Sequence, residues 1–384
     1  MARRKVCVVV NSRANYGRIK SVLRGIQNHP DLELQLIAGA SALLYRFGKV
    51  VDIVRADGFE PVSTVYSILE GENPTTMAKS TGVGIMELAT QFENLRPDIA
   101  LTVADRFETM ATAIAASYMN IPLAHTQGGE VTGNIDESVR HAITKLAHIH
   151  FPATDKSAEN IIRMGEDPAT VFMTGCPAID LAAETDTRLP DDFFVSHGGV
   201  GSPVTPGKPY LVVLQHPVTT EFGSGLKQVR QTLEAVRRLK MPTIWLWPNV
   251  DAGSDDVSKG LREFRERERP DYIQFVRNFP PEEYIKVMAN CACQIGNSSS
   301  AIREGSFLGT PAVNIGIRQS GREMAGNITT VDFDADRIET AVRSQIAHGR
   351  YPSSHLYGDG RAGERITEHL ATCQPNIIKR LNYV

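Results

Sequence analysis

The sequence is poor in cysteine, with five in 384 residues. The number is odd and the positions are scattered. Only Cys291 and Cys293 stand close together, as C-x-C inside an apolar run, with no second pair at zinc-finger spacing. That excludes a disulfide framework and argues against a structural zinc site; reduced thiols in or near the core are expected, and no metal. Long hydrophobic runs are also missing. No stretch approaches the roughly 18 apolar residues of a membrane span. The run 6–10 behind Met-Ala-Arg-Arg-Lys is too short and too β-branched for a secretory leader, so a soluble cytoplasmic chain with no membrane partner is expected. Charge of one sign is not in excess: Lys+Arg 41 against Asp+Glu 44 leaves −3, which provides no global basic field for nucleic acid. Two nucleotide signatures are absent as well. There is no G-x-x-x-x-G-K-[ST], and no strand is followed by G-x-G-x-x-G. A P-loop nucleotidase and a dinucleotide oxidoreductase are therefore both disfavoured.

What is present is regular alternation. Apolar residues make up 42% and charged residues 22%, an ordinary globular balance. The length suggests about two to three domains. Residues 6–10 form a β-branched run of the buried parallel-strand type, and Ile19, Val22, Leu23 and Ile26 follow at helical spacing. The same alternation continues through strands at 32–38, 99–103 and 121–125 and helices at 85–92, 110–119 and 136–146, with a short strand-helix-strand set through 171–174. Residues 184–208 then change character, with Leu189-Pro190, Gly198-Gly199, Pro203 and Pro206-Gly207, and read as a linker. Strands at 210–215, 243–247, 272–276, 293–296 and 311–315 follow, interleaved with helices at 227–239, 258–266, 282–291 and 301–308. A last helical segment spans 363–373. The expected architecture is α/β, with two Rossmann-like, doubly wound parallel-sheet domains facing a cleft. The expected division is 1–184, a linker 185–208, a second domain 209–362 and a helical segment 363–384 packing back on the first domain.

In open α/β sheets ligands bind beyond the carboxyl ends of the strands. Polar residues stand at those ends in both halves. Ser12-Arg13, Asp105-Arg106 and Gln127-Gly128-Gly129-Glu130 follow strands of the first half. His216, Asn249, Asn297-Ser298-Ser299-Ser300 and Arg318 follow strands of the second. The stretch Gly296–Ser300 leads from a strand toward a helix, and small residues there let N–H groups and hydroxyls approach a phosphate. It reads equally as a plain serine cap. Arg303, Arg318 and Arg322 nearby favour the phosphate, because guanidinium groups suit a diphosphate. Asp105-Arg106 reads either as a structural ion pair or as a carboxylate placed for proton transfer. His216, before Pro217, reads either as a core histidine or as a functional one. Together these residues point to a nucleotide or nucleotide-sugar site.

Several stretches resemble the hydrolysing UDP-N-acetylglucosamine 2-epimerases of sialic-acid and legionaminic-acid biosynthesis, within the wider UDP-N-acetylglucosamine 2-epimerase family. They are Ser12–Gly17 (SRANYG), Asp105–Glu108 (DRFE), Gly128–Lys145 (GGEVTGNIDESVRHAITK), His216–Thr220 (HPVTT), Pro248–Ser254 (PNVDAGS), Gly296–Ser300 (GNSSS) and Arg318–Glu323 (RQSGRE). The resemblance covers nearly the whole chain, and the stretch from Gly128 to Lys145 is highly specific. Asp105-Arg106 and Ile135-Asp136-Glu137 look like the hydrolysing branch.

The resemblance implies a GT-B type fold and an enzyme that eliminates UDP from UDP-N-acetylglucosamine across C1–C2. A 2-acetamidoglucal results, and water adds to give N-acetylmannosamine. It implies Asp105, Asp136, Gln127, Glu130 and His216 as catalytic residues. Arg13, Arg106, His216, Ser298, Ser299 and Arg318 would hold the diphosphate, with Ala14 and Gly17 beside them. Asn249, Phe279 and Glu304 would meet the uridine. No cofactor is implied; the partner is the UDP-sugar, and a homodimer or homotetramer is expected. One position departs from the family pattern. Its turn usually reads Glu-Gly-Gly-Glu, with the first Glu an acid/base, but Gln127 stands there and an amide takes no proton at neutral pH. Either Asp105, Asp136 or Glu130 carries the transfer, or the sugar differs, with UDP-2,4-diacetamido-2,4,6-trideoxyglucose the first alternative. A GT-B glycosyltransferase and a silent nucleotide-sugar sensor are the other readings.

Overall fold

A computed structural model describes residues 3–382. The chain divides into two compact units. The first contains the chain up to Glu130, Ile135–Glu184, and the chain from Tyr357 onward; the second contains Val131–Asn134 and Thr185–Leu356.

The sheet of the first unit is built from β1 (Arg4–Val10), β2 (Leu32–Gly39), β3 (Ser63–Val65), β4 (Ile99–Val103), β5 (Leu123–Thr126) and β6 (Ile149–Phe151). Its order is β3-β2-β1-β4-β5-β6, and every pairing is parallel. The helices are α1 (Arg13–Gly17), α2 (Lys20–Asn28), α3 (Val50–Ala56), α4 (Pro74–Leu95), α5 (Phe107–Tyr118), α6 (Asp136–Leu146), α7 (Asp155–Arg163) and α8 (Pro177–Glu184). The β-branched run of β1 is buried on both faces. Val6, Val8 and Val10 pack with Val22, Leu23 and Ile26 of α2, while Cys7 and Val9 pack with Leu88 and Phe92 of α4. That burial is why the run reads as continuous rather than alternating.

The second sheet uses β7 (Val200–Gly201), β8 (Leu211–Leu214), β9 (Thr243–Leu246), β10 (Ile273–Val276), β11 (Cys293–Gly296), β12 (Ala312–Ile315) and β13 (Ile328–Val331). The order is β13-β12-β11-β8-β9-β10-β7, parallel except for β7 against β10. Its helices are α9 (Phe193–Ser196), α10 (Gly225–Leu239), α11 (Ser254–Glu268), α12 (Pro281–Asn290), α13 (Ser299–Ile302), α14 (Glu304–Phe307) and α15 (Ala335–His348). The last helix, α16 (Ala362–Thr372), belongs to the first unit, and Ile366 and Leu370 join the core around Val6. Asp180 of α8 anchors it by accepting the N–H groups of Ala362 (2.9 Å) and Gly363 (2.6 Å).

The structure differs from the sequence reading in several elements. The stretch 185–208 contains α9 and β7. Phe193 and Phe194 are buried there, and Gln274 Nε2 donates to the carbonyls of Phe194 (2.8 Å) and Gly198 (2.6 Å). Val171 makes only an isolated bridge to His150. The helix expected at 301–308 is two four-residue turns, α13 and α14, broken at Arg303. Among the described residues no helix is long and apolar enough to cross a membrane, and no group of three or more His, Cys, Asp or Glu could hold a metal ion.

Candidate active site

Two of the polar strand ends of the first unit, at Asp105 and Glu130, meet one buried arginine, Arg140. After β4, Ala104 takes a left-handed conformation (φ 64°) and turns the chain into Asp105 and Arg106. The Ala104 carbonyl lies 2.7 Å from His125 Nε2 on β5. A carbonyl only accepts, so Nε2 carries the ring proton, and Nδ1 faces Thr144 Oγ1 at 3.3 Å. Burial pushes the His125 imidazole down to about 3, against the raising effect of the Ala104 bond, so the ring is neutral.

The Asp105 carboxylate forms an ion pair with Arg140, whose side chain on α6 is fully buried. Arg140 also donates to the Glu130 carbonyl (2.7 Å) and to Glu137 Oε2 (2.9 Å). Burial alone would lower its basicity, but Asp105, Glu130 and Asp136 outweigh that and raise it. Arg140 therefore stays charged; it bonds the Asp105 carboxylate and the Glu130 carbonyl, and the charges of Glu130 and Asp136 act on it. Asp136, half-buried, opens α6. Arg106 is held by both oxygens of Glu108, at 3.1 and 3.2 Å.

Gln127 sits apart from that cluster in its contacts. It is left-handed (φ 61°) and fully buried. Its N–H donates to Phe151 O (2.9 Å) and its Nε2 to Cys176 Sγ (3.3 Å). Its Oε1 finds no hydrogen-bond partner among the described residues. Gly129 beside it has φ 75°, and a Cβ there would stand 2.1 Å from Ser157 O, so only glycine fits the turn. Arg13, Ala14 and Gly17 lie on α1, which Ser12 caps by accepting the Asn15 N–H at 3.2 Å.

In the second unit the strand ends are tied to Asn297. Its Oδ1 accepts the His216 N–H (2.7 Å) and its Nδ2 donates to the His216 carbonyl (2.9 Å). Its own carbonyl accepts from Gln319 Nε2 (2.8 Å) and Arg318 Nη1 (3.3 Å). Asn249 donates its main-chain N–H to His216 Nδ1 (3.2 Å). Arg318 lies 3.8 Å from Asp251. Ser298 Oγ accepts the Ser300 N–H (3.3 Å), and Ser299 Oγ accepts from Arg303 (3.3 Å). Glu304 opens α14. Because α13 has a single turn, hydroxyls, N–H groups and arginines, not a long helix dipole, make this turn suited to an anion. Phe279 is buried in an aromatic cluster, its ring centroid 5.9 Å from that of Phe193.

The structure thus groups Asp105, Glu130 and Asp136 in one unit, and His216, Asn249, Ser298, Ser299 and Arg318 in the other. Gln127 faces Cys176, and Phe279 lies in the core. Arg140, Asn297 and His125 carry no local sequence sign of these contacts, because their partners Asp105, His216 and Ala104 lie far along the chain.

Two α/β sheets with polar strand ends, one carrying carboxylates and the other hydroxyl, amide and guanidinium groups, form a fold of GT-B type. A sequence profile described as UDP-N-acetylglucosamine 2-epimerase matches residues 24–371, and the chain belongs to that family. A Legionella pneumophila protein named UDP-N,N'-diacetylbacillosamine 2-epimerase (hydrolyzing) is 34% identical over 369 residues, 96% of each chain. A Neisseria meningitidis UDP-N-acetylglucosamine 2-epimerase is 27% identical over 357 residues, covering 93% of this chain and 91% of that one. The fold matches a solved structure of a UDP-GlcNAc 2-epimerase from Neisseria meningitidis bound to UDP-GlcNAc, with TM-score 0.76 and 18% identity over 95% of this chain and 99% of that one.

Proposed function

We propose that the protein is a hydrolysing 2-epimerase acting on UDP-2,4-diacetamido-2,4,6-trideoxyglucose, which is UDP-N,N'-diacetylbacillosamine. The observation that carries this reading is the 34% identity, over 96% of both chains, to a relative named for that substrate. Gln127, where the family usually has a glutamate, is a second point in favour of a sugar other than UDP-N-acetylglucosamine.

The chemistry proceeds in two steps. A carboxylate removes the proton at C2, the C1–O bond breaks, and its electron pair leaves on the β-phosphate of UDP. Water then adds across the C1–C2 double bond of the glycal. Hydroxyl goes to C1 and a proton to C2 from the opposite face. Asp105 is the proton acceptor in this reading, kept in place by Arg140, with Glu130 and Asp136 in the same cluster. His216, Ser298, Ser299 and Arg318 stabilise charge on the departing diphosphate.

The second reading, UDP-N-acetylglucosamine as substrate, is favoured by the Neisseria meningitidis relative at 27% identity. Steady-state release of UDP from each nucleotide sugar separates the two. The proposal expects the higher kcat/KM with the diacetamido sugar; a clear preference for UDP-N-acetylglucosamine replaces it with the second reading.

A further inference from the structure

Asn297 is completely buried, so its side chain is not a surface group. It nevertheless spends both ends of its carboxamide on one residue. Oδ1 takes the N–H of His216 and Nδ2 reaches its carbonyl, at 2.7 and 2.9 Å. The two residues lie just beyond β8 and β11, which pair through Leu214 and Gly296. The Asn297 N–H still donates to Leu214 O at 3.2 Å. Beyond that point the main chains part, and the asparagine side chain continues the ladder in place of a peptide. Glycine at 296 (φ 133°) makes this approach possible, since a Cβ there would lie 2.1 Å from Leu214 O.

The His216 ring is fixed as well. The Asn249 main-chain N–H points at Nδ1 at 3.2 Å. A peptide N–H can only donate, so Nδ1 presents a lone pair and the neutral ring carries its hydrogen on Nε2. A proton on Nδ1 would set N–H against N–H.

We propose that Asn297 is a positioning residue for His216, holding its main chain at two points so that the ring, held at Nδ1 by Asn249, serves as a neutral Nε2–H donor to the leaving diphosphate and not as the base that removes the C2 proton. The proposal rests on the 2-epimerase reading for the identity of the leaving group. The residue type follows from the geometry. Aspartate would keep the bond from the His216 N–H but put a carboxylate oxygen against the His216 carbonyl. Alanine would lose both bonds. Glutamine would be one methylene too long for the gap.

The test uses the full chain labelled with ¹⁵N-histidine. Two-bond ¹H–¹⁵N spectra near neutral pH report which ring nitrogen bears the proton, and His216→Gln identifies the His216 signal. The expected wild-type pattern is the Nε2–H tautomer. In Asn297→Ala the pattern is expected to become an average of tautomers, and the Kd for UDP by calorimetry to rise about tenfold or more. Asn297→Asp, which keeps one of the two bonds, is expected to fall between them and serves if the alanine variant does not fold. An Nδ1–H or doubly protonated ring in the wild type overturns the proposal. So does an asparagine variant that keeps both the tautomer pattern and the UDP affinity of the wild type. Failure of the epimerase reading is a different result: wild-type protein that binds UDP and shows the Nε2–H ring but releases UDP from neither sugar.

Discussion

The carboxylate of Asp105 and the guanidinium of Arg140 form a buried ion pair, joining the turn after β4 to α6. The same guanidinium bonds to the Glu130 carbonyl and to Glu137, so one side chain ties the turn after β4, the turn after β5 and α6 together. A buried pair of this kind costs desolvation on both sides, and its loss leaves an uncompensated charge. Arg140→Leu is expected to destabilise the protein by about 3–5 kcal/mol, read as a shift in the denaturant midpoint. A change under about 0.5 kcal/mol would mean that water or another cation replaces the guanidinium.

Asp105→Asn keeps the shape and removes the carboxylate proposed as the base. Turnover is expected to fall by about two to four orders of magnitude while UDP affinity is largely kept. The proposed diphosphate contacts lie on His216, Ser298, Ser299 and Arg318, in the other compact unit. Calorimetry with UDP and a UDP-release assay on the same preparation separate the effects. Full activity in the variant removes Asp105 from proton transfer.

Gln127→Glu is expected to retain activity, and its cost is a pH-dependent one. The position is fully buried and its Nε2 contacts the Cys176 thiol, so a carboxyl there is desolvated and its folded pKa rises above the usual value. A raised carboxyl pKa means that the unfolded chain releases its proton first. Stability relative to wild type therefore falls as pH rises through about 4 and upward to the folded pKa. Melting temperatures of both proteins across pH 4–8 test this; a constant difference between them contradicts it.

Acid should destabilise the wild type early. His125 is pushed down to about 3 and His150 is also lowered, both chiefly by burial. Below about 6.5 the unfolded chain binds protons that the folded chain refuses, so stability falls by about 1.4 kcal/mol per pH unit for His125, and His150 adds in the same direction. Glu166 adds to this lower down. Burial raises its carboxyl, but hydrogen bonds from His150, Lys145 and Lys379 outweigh that and hold it at about 2. Its contribution is complete above about 4.5 and is lost as pH falls toward 2. Denaturant titrations from pH 8 to pH 4 check the slope, and flat midpoints between pH 6.5 and pH 5 contradict it.

The parts legible in the sequence were those with a local signature. The run 6–10 could only be a buried strand, and polar residues after strands marked Asp105, His216 and the Gly296–Ser300 turn. Arg140, His125 and Asn297 owe their importance to partners far along the chain: Asp105 and Ala104 for the first two, His216 for the third. No local period carries that information. β3 and β13 escaped notice because they are edge strands of three and four residues. Residues 185–208 looked like a linker from proline and glycine, yet Phe193 and Phe194 anchor them in the core. The helix expected over 301–308 failed at Arg303, where the backbone departs from helical geometry (ψ −79°).

The most direct test of the central claim is proton NMR of the reaction in D₂O with UDP-2,4-diacetamido-2,4,6-trideoxyglucose. The account predicts free UDP and a released 2,4-diacetamido sugar of inverted C2 configuration, with deuterium at C2. Release of a sugar that retains its C2 hydrogen, or transfer of the intact sugar to an acceptor without exchange at C2, would contradict it.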